Sequence, residues 1–392
     1  MEIGRFRRFL LDRGMVYLYA IFMAGYFLLP MASGHRKAYY LLVLPATLAL
    51  WRELIRFYRT NTLFLLFLAY ASYMLLSLSW SENFLRLTAI AAVWDGLAVI
   101  SFVAITGYLW VQYPLQLDLL ARRSVWLAAA AAFASIIAWY VDNPFPSSRM
   151  EPLGVMHHQN KSGVAYGAFL VLCTHYFSCA RDRDSRLLYL LLAIVLASLV
   201  LLTQSRTALA GVCAGLLVML GWRALGLALL AILASWALVA TNPDDWWHRV
   251  EALSFRPGIW QQLLSDMHGH WLIGRGYLVD PHVEAYGRIF NHAHNSYLAT
   301  LRDGGLAGLA LLLGMLTVAL LWSSRLFVER GERLYLALLL LGMTAIFMDF
   351  DRLLVHPKEM WLYLWLPFAL IAAIYPHRDE QGMLRYVTGR RN

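Results

Sequence analysis

Leu87-Thr-Ala-Ile-Ala-Ala-Val-Trp-Asp-Gly-Leu-Ala-Val-Ile-Ser-Phe-Val-Ala-Ile-Thr-Gly-Tyr-Leu-Trp110 is an apolar run broken by one charge, Asp95. About 20 such residues cross a hydrocarbon layer ~30 Å thick as a helix, so the run predicts a membrane span. Met15 to Pro30, Leu63 to Trp80, Val125 to Val141 and Leu306 to Trp322 read the same way. Over the whole chain of 392 residues, 60% of side chains are hydrophobic and 15% are charged. A soluble globular protein carries about 25% charged residues, and its core could absorb one or two such segments but not a dozen. Twelve spans are expected, near 15–30, 38–50, 62–80, 87–110, 125–141, 162–180, 189–204, 206–222, 224–241, 304–322, 334–350 and 360–376. The fold class is therefore all-α, a polytopic transmembrane bundle forming one domain over 1–392. Met15 to Pro30 lacks a small-x-small cleavage site and reads as the first span rather than a signal peptide. Cys173, Cys179 and Cys213 lie in or beside apolar segments, with neither metal-site spacing nor an even count.

With the N-terminus in the cytoplasm, the basic residues fall into order. The inner segments then carry Arg5, Arg7, Arg8, Arg13, Arg52, Arg56, Arg59, Arg122, Arg123, Arg181, Arg183, Arg186, Arg223, Arg325, Arg330, Arg333, Arg378, Arg385, Arg390 and Arg391. That is 20 of the 33 Lys and Arg residues, on short segments where the positive-inside bias operates. Both termini are then cytoplasmic, and the net charge of +9 needs no nucleic-acid partner. Two outer segments stand out: Asp142 to Lys161, and the single long loop 242–303. Apolar residues at helical spacing from Trp246 to His268 predict that part of this loop is an amphipathic helix. Trp246, Trp247, Trp260 and Trp271 suit the headgroup belt.

The densest polar signal is Asn291-His-Ala-His-Asn295. Histidine exchanges a proton near neutrality, so His294 or His292 could take one from an attacking hydroxyl. A packing role and a metal pair at i,i+2 stay open beside that reading. Arg206 follows a long apolar run on the outer side, where the positive-inside bias disfavours it; a functional role competes with snorkelling. Arg256 precedes Pro257, a first-turn residue, so helix amides and guanidinium could hold one anion. Arg275 lies between glycines, and Arg288 is a weaker candidate of the same kind. His158 and Asn160 could line the same outer cavity with His292 and Asn295. Asp95, Asp349, Asp351 and Glu359 could serve a proton relay or neutralise arginines. Several arginines and a histidine on one wet face imply an anionic ligand, most simply a phosphate or pyrophosphate. No ATP is available outside, so an activated lipid-pyrophosphate sugar would have to supply the driving force.

Ser205-Arg-Thr-Ala-Leu209, Phe255-Arg-Pro-Gly-Ile-Trp260, Gly274-Arg-Gly-Tyr277 and His294-Asn-Ser-Tyr-Leu298 with Gly305 and Gly308 behind it resemble the bacterial O-antigen ligase family. His157-His-Gln-Asn160 resembles an outer turn of the same superfamily, and the likeness extends over the chain. The resemblance implies a GT-C-like fold in the bacterial inner membrane. It implies inverting, metal-independent transfer of a glycan from undecaprenyl pyrophosphate to a sugar of lipid A-core at the periplasmic face, with no cofactor. Carried over to this sequence, the essential histidine is His294 and the essential arginines are Arg206 and Arg256. A polymerase that uses the same donor is the nearest rival. A flippase would need mid-bilayer charges and paired broken helices, and the richest polar cluster here lies outside.

Overall fold

The computed structural model describes residues 7–82, 85–146, 148–240 and 255–376. Trp246 and Trp247, Arg5, and the basic residues from Arg378 onward lie outside them. The helices in chain order are α1 (Met15–Leu28), α2 (Ala32–Ala49), α3 (Trp51–Tyr58), α4 (Thr62–Trp80), α5 (Arg86–Gln112) and α6 (Pro114–Asp142). Then come α7 (Gln159–Cys179), α8 (Arg183–Leu202), α9 (Arg206–Leu220), α10 (Arg223–Ala240) and α11 (255–265). The chain closes with α12 (Ser296–Arg330), α13 (Arg333–Met348) and α14 (Trp361–Ile374). Between α11 and α12 lies a small hairpin that the sequence reading did not anticipate, β1 (Val283–Ala285) and β2 (Arg288–Phe290), pairing Val283 with Phe290.

Among the described residues α4, α5, α6, α8 and α12 are long and apolar enough to span a bilayer, and α2 with α3, bent by 66°, makes up to 6. Helices occupy the other expected stretches, but α9, α13 and α14 are shorter and α7 opens with Gln159, Asn160 and Lys161. A full count of twelve spans is thus more than helix length alone supports. At about 1.5 Å per residue a helix of some 15 residues falls short of ~30 Å. α9, α13 and α14 pack closely on neighbouring helices, α14 being buried along nearly its whole length. Small residues make that possible. A Cβ on Gly211 would stand 3.2 Å from the Leu341 carbonyl oxygen, and one on Gly215 would stand 3.2 Å from that of Ala337. One on Gly342 would meet the Tyr363 carbonyl at 2.2 Å.

The bundle has two chemically different ends. At one, Arg122 bonds Asp118 at 2.8 Å and stacks on Tyr176, Arg325 donates to Tyr375 at 3.0 Å, and Arg333 donates to the Met219 carbonyl at 2.8 Å. The other end gathers the 143–158 segment, the loop after α11, and the start of α12.

That second end is organised by a break in α12. Gly305 adopts φ +63° inside the helix, which frees carbonyls before it and amides after it. The segment 271–276 takes these groups: Arg275 N–H donates to Arg302 O at 2.8 Å and Gly276 N–H to Asp303 O at 2.9 Å. In return Leu306 N–H reaches Trp271 O at 2.8 Å and Ala307 N–H reaches Leu272 O at 3.1 Å. Backbone lies on backbone, since a Cβ at Gly305 would meet Leu272 O at 2.4 Å and one at Gly274 would meet Asp303 O at 2.5 Å. Gly305→Ala therefore combines a left-handed φ, costing about 1–2 kcal/mol, with a main-chain clash. It is expected to lower the melting temperature and folded yield in detergent, whereas Gly314→Ala, in open space on the same helix, leaves both unchanged. Equal melting of the two variants would refute the pairing at the break.

Candidate functional site

Asn295 ends the loop and starts α12. Its side-chain oxygen accepts from Tyr297 N–H at 2.9 Å and Leu298 N–H at 3.1 Å, an N-cap that satisfies two orphan amides. A residue before such a cap must turn sharply, and His294 does so at φ +50°, a region a side-chain-bearing residue seldom occupies. The turn is closed by His292, whose Nδ1 accepts the His294 N–H at 3.1 Å, with the two rings 4.1 Å apart. Burial, and then the neighbouring His294, push the His292 pKa down to about 4, so His292 is neutral at pH 7.

His294 Nδ1 stands 3.0 Å from Asp349 Oδ1. Asp349 follows the last turn of α13 and is buried; it also accepts Phe350 N–H on Oδ1 at 2.8 Å and Asn160 Nδ2 on Oδ2 at 3.0 Å. Burial opposes its charge, but the hydrogen bond and charge of His294 with the Phe350 amide outweigh it, and the carboxyl sits well below the usual range. An ionised carboxylate on Nδ1 assigns the imidazole proton to that nitrogen. Nε2 is then the lone-pair nitrogen, on a side chain 34% exposed.

Asn160 links this dyad to the arginines. Its Oδ1 is bonded by Arg149, whose Nε donates to Thr203 O at 2.8 Å, in the turn that leads into α9. Ser205 caps α9 by accepting Ala208 N–H at 3.2 Å, and Arg206 is the first helical residue, exposed. Arg256 lies in the first turn of α11, on the same helical face as Trp260. Trp260 Nε1 donates to Ala293 O at 3.1 Å, so α11 is fastened to the histidine loop itself. Trp260 is half-buried and makes this link. His294 and His292 thus meet directly, Asn160 joins them through Asp349, and Arg206 and Arg256 head helices tied to the set.

The remaining candidates have other partners. Arg275 forms a two-pronged pair with Glu82, at 2.9 and 2.5 Å, and the glycines around it let backbone approach α12 rather than a ligand. Arg288 lies 5.1 Å over the Phe255 ring, against α11. His158 is exposed at the head of α7, its carbonyl accepts Ser162 N–H at 2.9 Å, and its ring lies within electrostatic reach of Asp349 and Arg149, so it borders the site. Asp351 belongs to a buried network beneath the 274–281 loop. Arg302 reaches Asp303 at 2.7 Å and Asp351 at 3.2 Å, and Arg352 reaches Asp303 at 2.6 Å. Asp95 accepts from Tyr40 at 2.6 Å. One residue of the site escaped the sequence reading, and another is read there without its partner. Asp349 is a candidate proton-relay or charge-neutralising carboxylate from sequence, and the structure pairs it with His294. Arg149 satisfied the criterion that singled out Arg206, a lone outer arginine against the positive-inside bias.

The donor atoms of His292, His294 and Asp349 lie within 4.8 Å of one another, a set that could hold a metal ion. Within that set one oxygen of Asp349 is shared by His294 and the Phe350 amide. An arginine- and lysine-flanked histidine–carboxylate pair can accept a proton from a hydroxyl and stabilise the resulting imidazolium beside a bound anion.

No family model matches the chain. It is similar to the O-antigen ligase of Pseudomonas aeruginosa, at 31% identity over 366 residues, covering 90% of this chain and 88% of that protein. With a likeness of that level over nine-tenths of its length, the chain belongs to the O-antigen ligase family.

Proposed function

We propose that the protein transfers a glycan from undecaprenyl pyrophosphate to a sugar hydroxyl of lipid A-core at the periplasmic face of a bacterial inner membrane. Reaction at the anomeric carbon proceeds with inversion and without a metal. In this reading the bundle crosses the membrane twelve times in a GT-C-like arrangement, both termini face the cytoplasm, and the end that holds His294 is periplasmic. The observation that carries the proposal is His294 held through Nδ1 by buried Asp349, on a side chain 34% exposed.

The chemistry follows from that geometry. The acceptor hydroxyl gives its proton to His294 Nε2 as its oxygen bonds the anomeric carbon. The bond from that carbon to the pyrophosphate oxygen breaks, and undecaprenyl pyrophosphate leaves as the anion. Arg206 and Arg256 stabilise the charge that develops on the leaving oxygen, in a site where fixed charges need no reorganisation. Asp349 is a positioning residue. It sets the tautomer and stabilises the imidazolium, which supports proton transfer over a purely orienting role for His294. His292, neutral, fixes the turn.

In detergent, with lipid-linked donor and lipid A-core, wild type is expected to form product, and His294→Ala, Arg206→Ala and Arg256→Ala to lower turnover by about 10²–10⁴-fold. Polymer growing on the carrier with none on lipid A-core would identify a polymerase instead. Asp349→Asn can donate its amide to Nδ1 and so move the imidazole proton to Nε2. It is expected to be as damaging as His294→Ala in kcat, with donor binding retained; wild-type turnover would remove Asp349 from the scheme. Exhaustive chelation leaves the rate unchanged if the three donor groups serve a proton, and loss restored by added zinc would reverse that assignment.

A further inference from the structure

Beside the first turn of α7 lies an open groove of about 410 Å³ that the proposed chemistry does not use. Its walls come from the α1–α2 connection (Pro30, Ser33), the end of α6 (Trp139) and the following loop (Glu151, Leu153, His157). The groove is fixed in shape. Gly154 has φ +73° and a Cβ there would lie 2.7 Å from Leu29 O, so the loop rests backbone on backbone against α1, with Val155 N–H donating to Leu29 O at 3.2 Å. Leu153 N–H donates to Ser135 Oγ at 3.1 Å, Trp139 Nε1 donates to Ser148 Oγ at 3.1 Å, and Gln159 Nε2 donates to Glu151 Oε1 at 3.0 Å.

The chemistry of the walls selects among ligands. An indole, prolines and aliphatic side chains supply the apolar surface, and a carboxylate, an imidazole and a hydroxyl are set among them. That combination matches a pyranose, with its C–H face and its equatorial hydroxyls. The one fully charged group among the six, Glu151, repels phosphate, so the groove differs in kind from the arginine-bearing site. It is also near that site: His157 is three residues before Asn160, which bonds Asp349 and through it His294.

We propose that this groove binds a saccharide ring of one of the two glycan substrates, a short way along the chain from the reacting sugar. The proposal rests on the glycan-transfer reading above. Purified protein in detergent is titrated by calorimetry with two lipid-free probes, core oligosaccharide released from lipid A-core and polysaccharide released from its carrier. At least one is expected to bind. Trp139→Ala, Glu151→Gln and His157→Gln should each weaken it about 5- to 10-fold, with His294→Ala unaffected. The exposed Glu151 and His157 keep the test decisive if Trp139→Ala fails to fold. In ligation assays the same variants raise KM for the substrate whose saccharide binds and leave KM for the other and kcat alone. They also lose nothing on a substrate trimmed to its reacting sugar, which distinguishes a subsite from a structural role and identifies its source. Binding of neither probe, or equal binding by wild type and all three variants, overturns the groove proposal. A wild type that binds a probe yet makes no product would sink the transfer reading and leave the groove standing.

Discussion

A helix in lipid can open its backbone ladder only where other groups take the donors and acceptors set free. In this molecule that exchange takes place at Gly305, where the 271–276 segment pairs with both sides of the break. Much of the second end depends on it. The same segment is fixed from the other side by the turn after α4, through the Arg275–Glu82 pair and the bond from Leu278 N–H to Ser81 Oγ at 3.1 Å. The stretch of α12 before the break, short and capped by Asn295, is thereby held as a rigid post with His294 directly in front of it. A straight α12 would carry the histidine turn elsewhere, and its carboxylate partner would not meet it.

Charge at this end is arranged by the same economy. Asp303 and Asp351 answer Arg302 and Arg352, Glu82 answers Arg275, and Asp349 answers His294. A buried pair is rarely a large source of net stability, since desolvation takes back most of the Coulomb gain; its value lies in fixing geometry once both partners are present. The network under the 274–281 loop therefore serves as scaffold, while buried Asp349 holds the half-exposed His294. In the proposed reaction that division matters, because negative charge stands behind the histidine.

What could be read from sequence followed from the range of the interactions involved. Leu87 to Trp110 announced a span because hydrophobicity is a local property, and α5 covers it. The shorter α9, α13 and α14 have the same composition, but whether such a helix faces lipid or protein depends on neighbours far along the chain. His294 stood out through its own chemistry. Its partner Asp349 is 55 positions away, and no periodicity connects them. The glycines around Arg275 mark a close backbone approach, but its partner is α12, far along the chain, and not a ligand. Asn295 had a legible alternative, since an asparagine before a helix is a capping signal, and that is the role its side chain fills. The hairpin at 283–290 turns at Tyr286 and Gly287, both at positive φ, and its packing on α11 was beyond local reading.

The carboxylate of Asp349 is bonded from residues 160, 294 and 350, and through Asn160 the set extends to Arg149 and the turn before α9. A chain inserted into a membrane from its N-terminus therefore acquires the arginine-headed α9 well before it acquires the group that holds the histidine. Partly inserted chains could bind an anionic carrier but not set the imidazole tautomer. In the proposed reaction competence would therefore arrive only with the last helices, once Asp349 has joined His294.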